Sequence, residues 1–354
     1  MSKKHKKTVN DHYSGIGGQA VLEGIMMKNK EKYSVAVRTP DGEVDVIVEE
    51  YESFVPIKGI NKIPFVRGVF NFIDSLILGM RTLNYSATFY EEEKDTHKKE
   101  KLFDRIFGDN ADKVLSTISV ILSVVIAIAL FMLAPYYLSM MLKTYVQSDT
   151  VIALLEGLIR VLIFVLYIVA ISLMKDIRRV FMYHGAEHKC INCIETANPL
   201  NVENVRNSSR EHKRCGTSFL FYVVFISVVL FIFIRVDDAV MRVVIRLLLV
   251  PVIAGIAYEI IRLAGRSNNI IVRILSWPGL MLQRLTTREP DDDMIEVAIA
   301  AVEAVFDWKQ YFIDEFGYDV DAYVQDIEEE PEPESQRMTI SAEEILSIIR
   351  DEKM

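Results

Sequence analysis

The feature that most constrains this chain is a run of 29 residues without a charged side chain, between Lys113 and Lys143. Roughly 20 apolar residues are enough to cross a bilayer as a helix. The whole chain of 354 residues is 51% hydrophobic, and its mean hydropathy is +0.22. Together these features exclude a purely soluble protein, a disordered chain, a collagen-like chain and a disulfide-stapled mini-domain.

Further apolar segments predict an α-helical polytopic membrane protein with about four transmembrane helices, at residues 114–140, 152–174, 217–236 and 243–264. Charged residues inside these segments, Glu156, Arg160, Arg246 and Glu259, are expected near span ends, where long side chains snorkel and i,i+4 pairs form. Glu259 is kept as a possible supporting residue of a site near the cytosolic face. A transporter is disfavoured, since the spans show no internal repeats, broken midplane helices or buried mid-span charges.

Basic residues set the predicted orientation. The segment 175–216 carries eight lysines and arginines, whereas the short loops 141–151 and 235–242 carry one and two. By the positive-inside rule, this segment forms a cytosolic loop. An even number of spans then places both termini in the cytosol.

The segments outside the spans divide into a small cytosolic β-rich domain, linkers and an acidic tail. Apolar residues alternate in 33–37 and 44–46 around the turn Thr39–Gly42, which predicts a β-hairpin. The helix after it, at 64–90, either lies in the membrane interface or packs on the β-domain. The predicted domains are a disordered amino terminus at 1–14, the β-rich domain at 15–58, an interfacial helix with a charged linker at 59–105, and the transmembrane region at 106–285.

The carboxyl-terminal part changes in charge. Residues 289–354 carry 21 acidic and 4 basic side chains, which leaves the rest of the chain at a net charge of +8. We predict an interfacial helix at 270–285, broken at Trp277–Gly279, followed by an acidic-capped helix at 286–310. An acidic tail with a short amphipathic helix occupies 311–354.

The chemistry is concentrated in one short motif, in which His184, Glu187 and His188 share a helix face. The spacing H-x-x-E-H is that of metal sites with two imidazole ligands and a proton-handling glutamate. Neutral imidazole suits Zn²⁺, which acidifies a bound water. We therefore predict zinc ligation by His184 and His188, with Glu187 as the catalytic carboxylate.

A catalytic zinc needs a third protein ligand. His212 and Cys215 precede the third span, and the stretch of 23 residues from Lys189 to Glu211 is long enough to bring them to the motif. Cys190 and Cys193 form a C-x-x-C pair that would suit a structural zinc knot or a redox pair. A further alternative is a polar helix face, hydrogen-bonded to its loop without any metal.

Several strings resemble the YqhQ-like family of bacterial membrane proteins over residues 15–310. They are GGQAVLEGIMM (17–27), YHGAEHK (183–189), VENVR (202–206), RCGTSF (214–219) and TTREPDDDMIE (286–296). The resemblance implies a metal-dependent enzyme in a bacterial inner membrane. It also implies that His184, Glu187, His188, His212 and Cys215 belong to the family pattern, from which Cys190 and Cys193 depart.

The expected function is a zinc-dependent hydrolase at the cytosolic membrane face. Its expected partners are the lipid bilayer and membrane proteins or peptides, and no specific nucleic acid. Glu259, Glu195, Cys190 and Cys193 are expected to support the site from behind the ligands. The alternative is a non-catalytic membrane scaffold whose cytosolic loop is held by hydrogen bonds or a structural metal.

Overall fold

Four helical segments of this computed structural model are long and apolar enough to cross a membrane. They are Thr117–Thr144, Asp149–Ser172, Gly216–Phe233 and Val240–Ala264, close to the four predicted segments. The structure describes residues 12–54, 59, 63–90, 111–234, 236, 238–265 and 269–317. The predictions for residues 1–11, for the charged linker 91–105 and for the amphipathic helix of the tail fall outside the described residues.

The described chain is mostly helical, with one small sheet at its amino-terminal end. The strands are β1 (Gly17–Val21), β2 (Gly24–Asn29), β3 (Lys32–Arg38) and β4 (Val44–Glu50). The helices are α1 (Val66–Thr88), α2 (Ala111–Ile128), α3 (Ala134–Met141), α4 (Asp149–Ser172), α5 (Lys175–Glu195), α6 (Val202–Asn207), α7 (Gly216–Phe233), α8 (Ala239–Ala264), α9 (Ile270–Thr286), α10 (Asp292–Glu303) and α11 (Trp308–Phe316), with a π-helical turn at Ala129–Leu133 between α2 and α3.

The sheet is antiparallel in the order β1-β2-β3-β4. The predicted hairpin is confirmed as β3 and β4, which pair from Arg38 opposite Val44, and Gly42 supplies the positive φ that the turn requires. Strands β1 and β2 were not predicted. All residues from Tyr33 to Val37 are buried, because helices cover both faces of the sheet. The alternation of apolar and polar residues predicts only one buried face for β3, whereas both faces of this strand are buried.

Helix α1 packs both on the sheet and along α8. Its polar stripe is occupied by protein partners: Arg67 forms a bidentate pair with Glu259, and Asn71 donates to the Tyr258 hydroxyl. Asp74 accepts from the Tyr51 hydroxyl and the Phe54 amide. The other face exposes Leu76, Met80 and Leu83. Contact with the β-domain, one of the two alternatives, is therefore present.

The segment 175–216, expected to be a loop, is largely helical. Helix α4 ends at Ser172 and α5 begins at Lys175, with Met174 in an extended conformation between them. His184 therefore does not lie on a straight continuation of the second span. Helix α5 packs on β1 and on α10 instead, which places the H-x-x-E-H motif beside the sheet.

The expectation that the charges of the spans lie at their ends is wrong for Arg160, which is the twelfth of the 24 residues of α4. Arg160 and Arg246 of α8 both pair with Glu156, at 2.7 and 2.6 Å. All three residues are buried, and the Phe231 ring lies against both guanidinium groups, at 4.9 and 4.7 Å. Burial between helices favours this pairing over snorkelling, since a lone charge there is costly.

The π-helical turn completes the surroundings of this charge cluster, because Arg160 Nε donates to the Phe131 carbonyl at 3.2 Å. One of the three grounds of the sequence argument against a transporter, the lack of buried mid-span charges, is therefore wrong. Helix α9 also differs from expectation, since it runs unbroken through Pro278. The carbonyl that Pro278 leaves without a helical partner belongs to Ile274, on an exposed face of the helix.

Candidate metal centre

Three side chains from two helices converge beside the sheet. His184 and His188 lie one turn apart on α5, with ring centroids 4.4 Å apart, and Cys215 caps the start of α7. His184 Nε2 lies 3.2 Å from Cys215 Sγ. One potential ligand atom from each of the three residues lies within 4.8 Å of the others. The group could hold a metal ion.

Backbone carbonyls fix the orientation of both imidazoles. His184 Nδ1 donates to the Thr286 carbonyl at 2.9 Å, and His188 Nδ1 donates to the Arg210 carbonyl at 2.6 Å. A carbonyl can only accept, so the proton of each neutral ring is on Nδ1 and the lone pair is on Nε2. This is the arrangement by which proteins present histidine to a metal.

The thiol of Cys215 has an unusual electrostatic environment. Burial acts to raise its pKa, but His184 and His188 outweigh burial and hold the pKa well below its ordinary value. The pKa of His184 is raised to about 9: burial lowers it, and the Cys215 thiolate and Glu187 more than compensate. Without a metal, both shifts favour a thiolate–imidazolium pair between Cys215 and His184. The thiolate is also the form of cysteine that binds metal.

Glu187 lies on the same face of α5 but outside the three-residue group. Burial raises its pKa, while the two neighbouring histidines and the amide of Gly18 act in the opposite direction. A Cβ on Gly18 would lie 3.0 Å from Glu187 Cγ and closer still to the Met26 carbonyl. Only glycine therefore lets β1 approach this carboxyl group, whose raised pKa favours its protonated form more than in a solvent-exposed glutamate.

A cavity of about 470 Å³ opens in front of these groups. Its wall includes His184, Glu187, His188 and Cys215, and strand β2 and the turn after it contribute Lys28 and Lys30. A substrate in this cavity would have access to the thiolate, the imidazoles and the carboxyl group together.

The other predicted site residues lie in three different settings. His212 is next to the group, since its ring centroid lies 5.6 Å from that of His188, yet it is not part of the three-residue cluster. Its buried Nε2 has no hydrogen-bond partner among the described residues, and Glu195 Oε2 lies 3.7 Å from it. Burial lowers the pKa of His212 to about 4, against an opposing effect of Glu195.

Glu195 fastens the segment before β1 to the site. It accepts from the Ser14 amide at 3.0 Å and from the Ser14 hydroxyl at 2.8 Å, and it pairs with Arg214, the neighbour of Cys215. Burial acts to raise its pKa, but His212 and Arg214 lower the pKa to about 2. As a charged carboxylate, Glu195 therefore holds Ser14 and Arg214, which flank the site, in place.

Cys190, Cys193 and Glu259 lie apart from the candidate ligands. Burial raises the pKa of Cys190 and brings that of Cys193 to about 11, and Cys193 Sγ lies 3.4 Å from the Asn198 carbonyl. Glu259 binds Arg67 and the Phe65 amide. Among the described residues that line the large cavity, none of these three is present.

Sequence reasoning missed the residues that position the ligands. Gln283 holds the backbone of His212 through two hydrogen bonds, of 2.9 and 2.7 Å. An ideal Cβ on Gly185 would lie closer than 3.0 Å to the Arg288 carbonyl oxygen, so glycine is needed where α5 meets the chain after α9. The strings 17–27 and 286–296 contain Gly18, Thr286 and Arg288, but no pattern in the sequence assigns these three residues to the site.

Comparison with known proteins agrees with this resemblance. A family model described as a protein of unknown function (DUF1385) matches residues 63–308, and the chain therefore belongs to that family. The chain is 36% identical, over 288 residues, to the uncharacterised protein YqhQ of Bacillus subtilis (strain 168), an alignment that covers 80% of this chain and 89% of YqhQ. No solved structure matches the chain.

Proposed function

We propose that this chain is a zinc-dependent hydrolase of the bacterial inner membrane, with its active site at the cytosolic membrane surface. The convergence of His184 Nε2, His188 Nε2 and Cys215 Sγ on one cavity wall carries the proposal. Two nitrogens and one sulfur match the three protein ligands of catalytic zinc sites, in which the fourth position is left to water or substrate.

The donor set fits zinc in chemistry and in spacing. Ligand bonds of about 2.1 Å to nitrogen and 2.3 Å to sulfur place tetrahedral ligands roughly 3.6 Å apart. His184 Nε2 and Cys215 Sγ are 3.2 Å apart, so a small outward shift would admit the ion. Bound zinc would supply Lewis acidity and lower the pKa of a water molecule.

The protein groups around this position have separate roles. The Thr286 and Arg210 carbonyls hold the two imidazoles in the ligating tautomer. Glu187 holds or accepts a proton beside the histidines, and the Gly18 amide orients its carboxylate.

The membrane topology is part of the proposal. Four candidate spans and a basic segment at 175–216 support a multi-pass protein with both termini in the cytosol. Reporter fusions at residues 147 and 200 are expected to report opposite compartments. The same compartment for both fusions would contradict the topology.

Two substitutions separate catalysis from structure. Glu187→Gln keeps size and polarity but cannot accept a proton, so we expect it to retain zinc, measured by elemental analysis of the purified protein, and to lose cellular activity in a complementation assay. His188→Ala is expected to lose both. Full complementation by Glu187→Gln with loss of function in His188→Ala would instead identify a structural metal in a scaffold.

A metal-free cysteine hydrolase is the second candidate. The 3.2 Å contact between His184 and Cys215, together with the lowered pKa of Cys215, is the pattern of an activated thiol nucleophile. This candidate predicts purified protein without metal whose activity survives chelators and is lost in Cys215→Ser. Zinc at one equivalent per chain, with activity lost on chelation, would exclude it.

A further inference from the structure

A second, smaller cavity adjoins the candidate metal centre. It has a volume of about 310 Å³, and it shares Tyr13, Asn71, Arg214 and Tyr258 with the larger cavity. We call it the arginine annex, because Arg67, Arg214 and Arg262 line it. Among the described residues of its lining, no side chain is acidic.

Two carboxylates lie behind these arginines, and they do not cancel the whole charge. Glu195 pairs with Arg214. Glu259 is shared: Arg67 binds it closely, whereas Arg262 Nη1 lies 4.0 Å away from the same carboxylate. Two arginines therefore share one carboxylate, and the Arg262 side chain is about one third exposed. In the larger cavity the positive charge of Lys28 and Lys30 is opposed by Asp74 and Glu187, so the excess of positive charge lies in the annex.

The annex lies at the level where the proposed spans meet the cytosol. Arg214 precedes α7 by two positions, and Arg262 lies two positions before the end of α8. These ends belong to antiparallel neighbours, so both arginines lie at the same membrane face. Basic pockets between helices at this face bind the phosphate groups of anionic lipids.

We propose that the arginine annex binds a phosphate group, and that the ligand extends from the annex into the larger cavity. A guanidinium with spare N–H donors is suited to phosphate, which it binds through paired, charge-assisted hydrogen bonds. Excess positive charge favours an anionic ligand over the neutral backbone of a peptide. The phosphate-bearing ligand would be the substrate class of the proposed hydrolase. Hydrolysis of the ligand rests on that proposed function, whereas binding of the ligand does not.

The test measures binding without requiring catalysis. Full-length protein in neutral detergent is titrated with phosphatidylglycerol, with phosphatidylcholine and with inorganic phosphate. We expect phosphatidylglycerol to bind more tightly than phosphatidylcholine. Arg262→Gln should weaken phosphatidylglycerol binding roughly tenfold, the loss expected when one charge-assisted hydrogen bond is removed.

Arg178→Gln is the matched control. Arg178 is exposed, lies in α5, and is not among the described residues that line either cavity, so the same change in charge there should leave the affinity unchanged. The Arg262 side chain is only loosely paired, so its variant should fold, which an unfolding transition matching that of the parent protein would verify. Equal affinity of the Arg262 and Arg178 variants for every anionic probe that binds the parent protein, or measurable and equal binding of both lipids, would overturn the inference.

The titrations with phosphatidylglycerol and with inorganic phosphate identify the source of the phosphate group. Inorganic phosphate that binds alone, with the same dependence on Arg262, points to a soluble phosphoester. Binding of phosphatidylglycerol alone points to a lipid headgroup. Protein that lacks zinc but binds anions through Arg262 would refute the zinc hydrolase and leave this inference standing. A zinc-loaded, active protein without that dependence would refute the inference alone.

Discussion

Gly185→Ala gives the sharpest test of how α5 is held in place. In an isolated helix this change would be stabilising by about 1 kcal/mol, because glycine is a poor helix former. Here the added Cβ would lie closer than 3.0 Å to the Arg288 carbonyl oxygen. That carbonyl belongs to the backbone, so it can retreat only if residues 286–288 move with it.

The movement has two costs. Overpacking of this kind is destabilising by about 1–3 kcal/mol. It also strains the hydrogen bond from the Arg288 amide to the Phe181 carbonyl, at 2.8 Å, and that from His184 to Thr286, at 2.9 Å, each worth about 1 kcal/mol. After subtraction of the helix-propensity gain, we expect the free energy of unfolding to fall by roughly 2–4 kcal/mol.

The same movement should weaken zinc binding about 10- to 100-fold, the usual effect of losing a hydrogen bond behind a metal ligand. Unfolding is followed by circular dichroism in detergent, and zinc affinity by competition with a chromophoric chelator. Gly216→Ala is the control, because its Cβ would meet no described atom within 4 Å although Gly216 adjoins Cys215. We expect it to be neutral or slightly stabilising. A Gly185→Ala protein as stable as this control would refute the reasoning.

The buried ionisable side chains give three further tests. Iodoacetamide should modify Cys215 in zinc-free protein, because the pKa of Cys215 is low and its side chain faces the cavity. The reagent should spare Cys193, whose pKa is raised to about 11. Peptide mass spectrometry of the protein with and without zinc measures the modification of both cysteines. Glu156→Gln leaves two buried arginines without their counterion, so the free energy of unfolding should fall by about 3–5 kcal/mol in a detergent titration; no change would contradict the paired burial. His212, with a folded pKa of about 4 against 6.5, binds fewer protons when folded, so the protein should lose up to about 3 kcal/mol of stability as the pH falls from 6.5 to 4. That slope should flatten in His212→Gln.

Patterns within a single segment were the predictable part of this fold. The β3–β4 hairpin follows from alternation around Thr39–Gly42, and the four candidate spans follow from apolar length. Strands β1 and β2 escaped prediction because Gly17 and Gly18 in β1 and Gly24 in β2 weaken the strand signal. Gly18 serves close packing against Glu187, which only the folded chain reveals.

The candidate site also has a part that the sequence predicts and a part that depends on the folded chain. A shared helix face for His184 and His188 follows from their spacing of four residues. The nearness of Cys215 required the antiparallel arrangement of helices and the fold of the segment between them. The carbonyls of Thr286 and Arg210 could not be predicted, because a backbone acceptor has no side-chain signature in the sequence.

The charge cluster inside the proposed spans bears on the biosynthesis of the protein. Arg246 precedes the middle of α8 and has its carboxylate partner, Glu156, on α4, 90 residues earlier in the chain. A lone arginine near a span centre opposes membrane insertion by about 2.5–3.5 kcal/mol. Since α4 carries Glu156 together with Arg160, it can enter the bilayer first as an internally neutral helix. Glu156 would then already lie in the bilayer as the counterion of Arg246 when the fourth span inserts. Insertion of the fourth span would therefore depend on the earlier synthesis of α4.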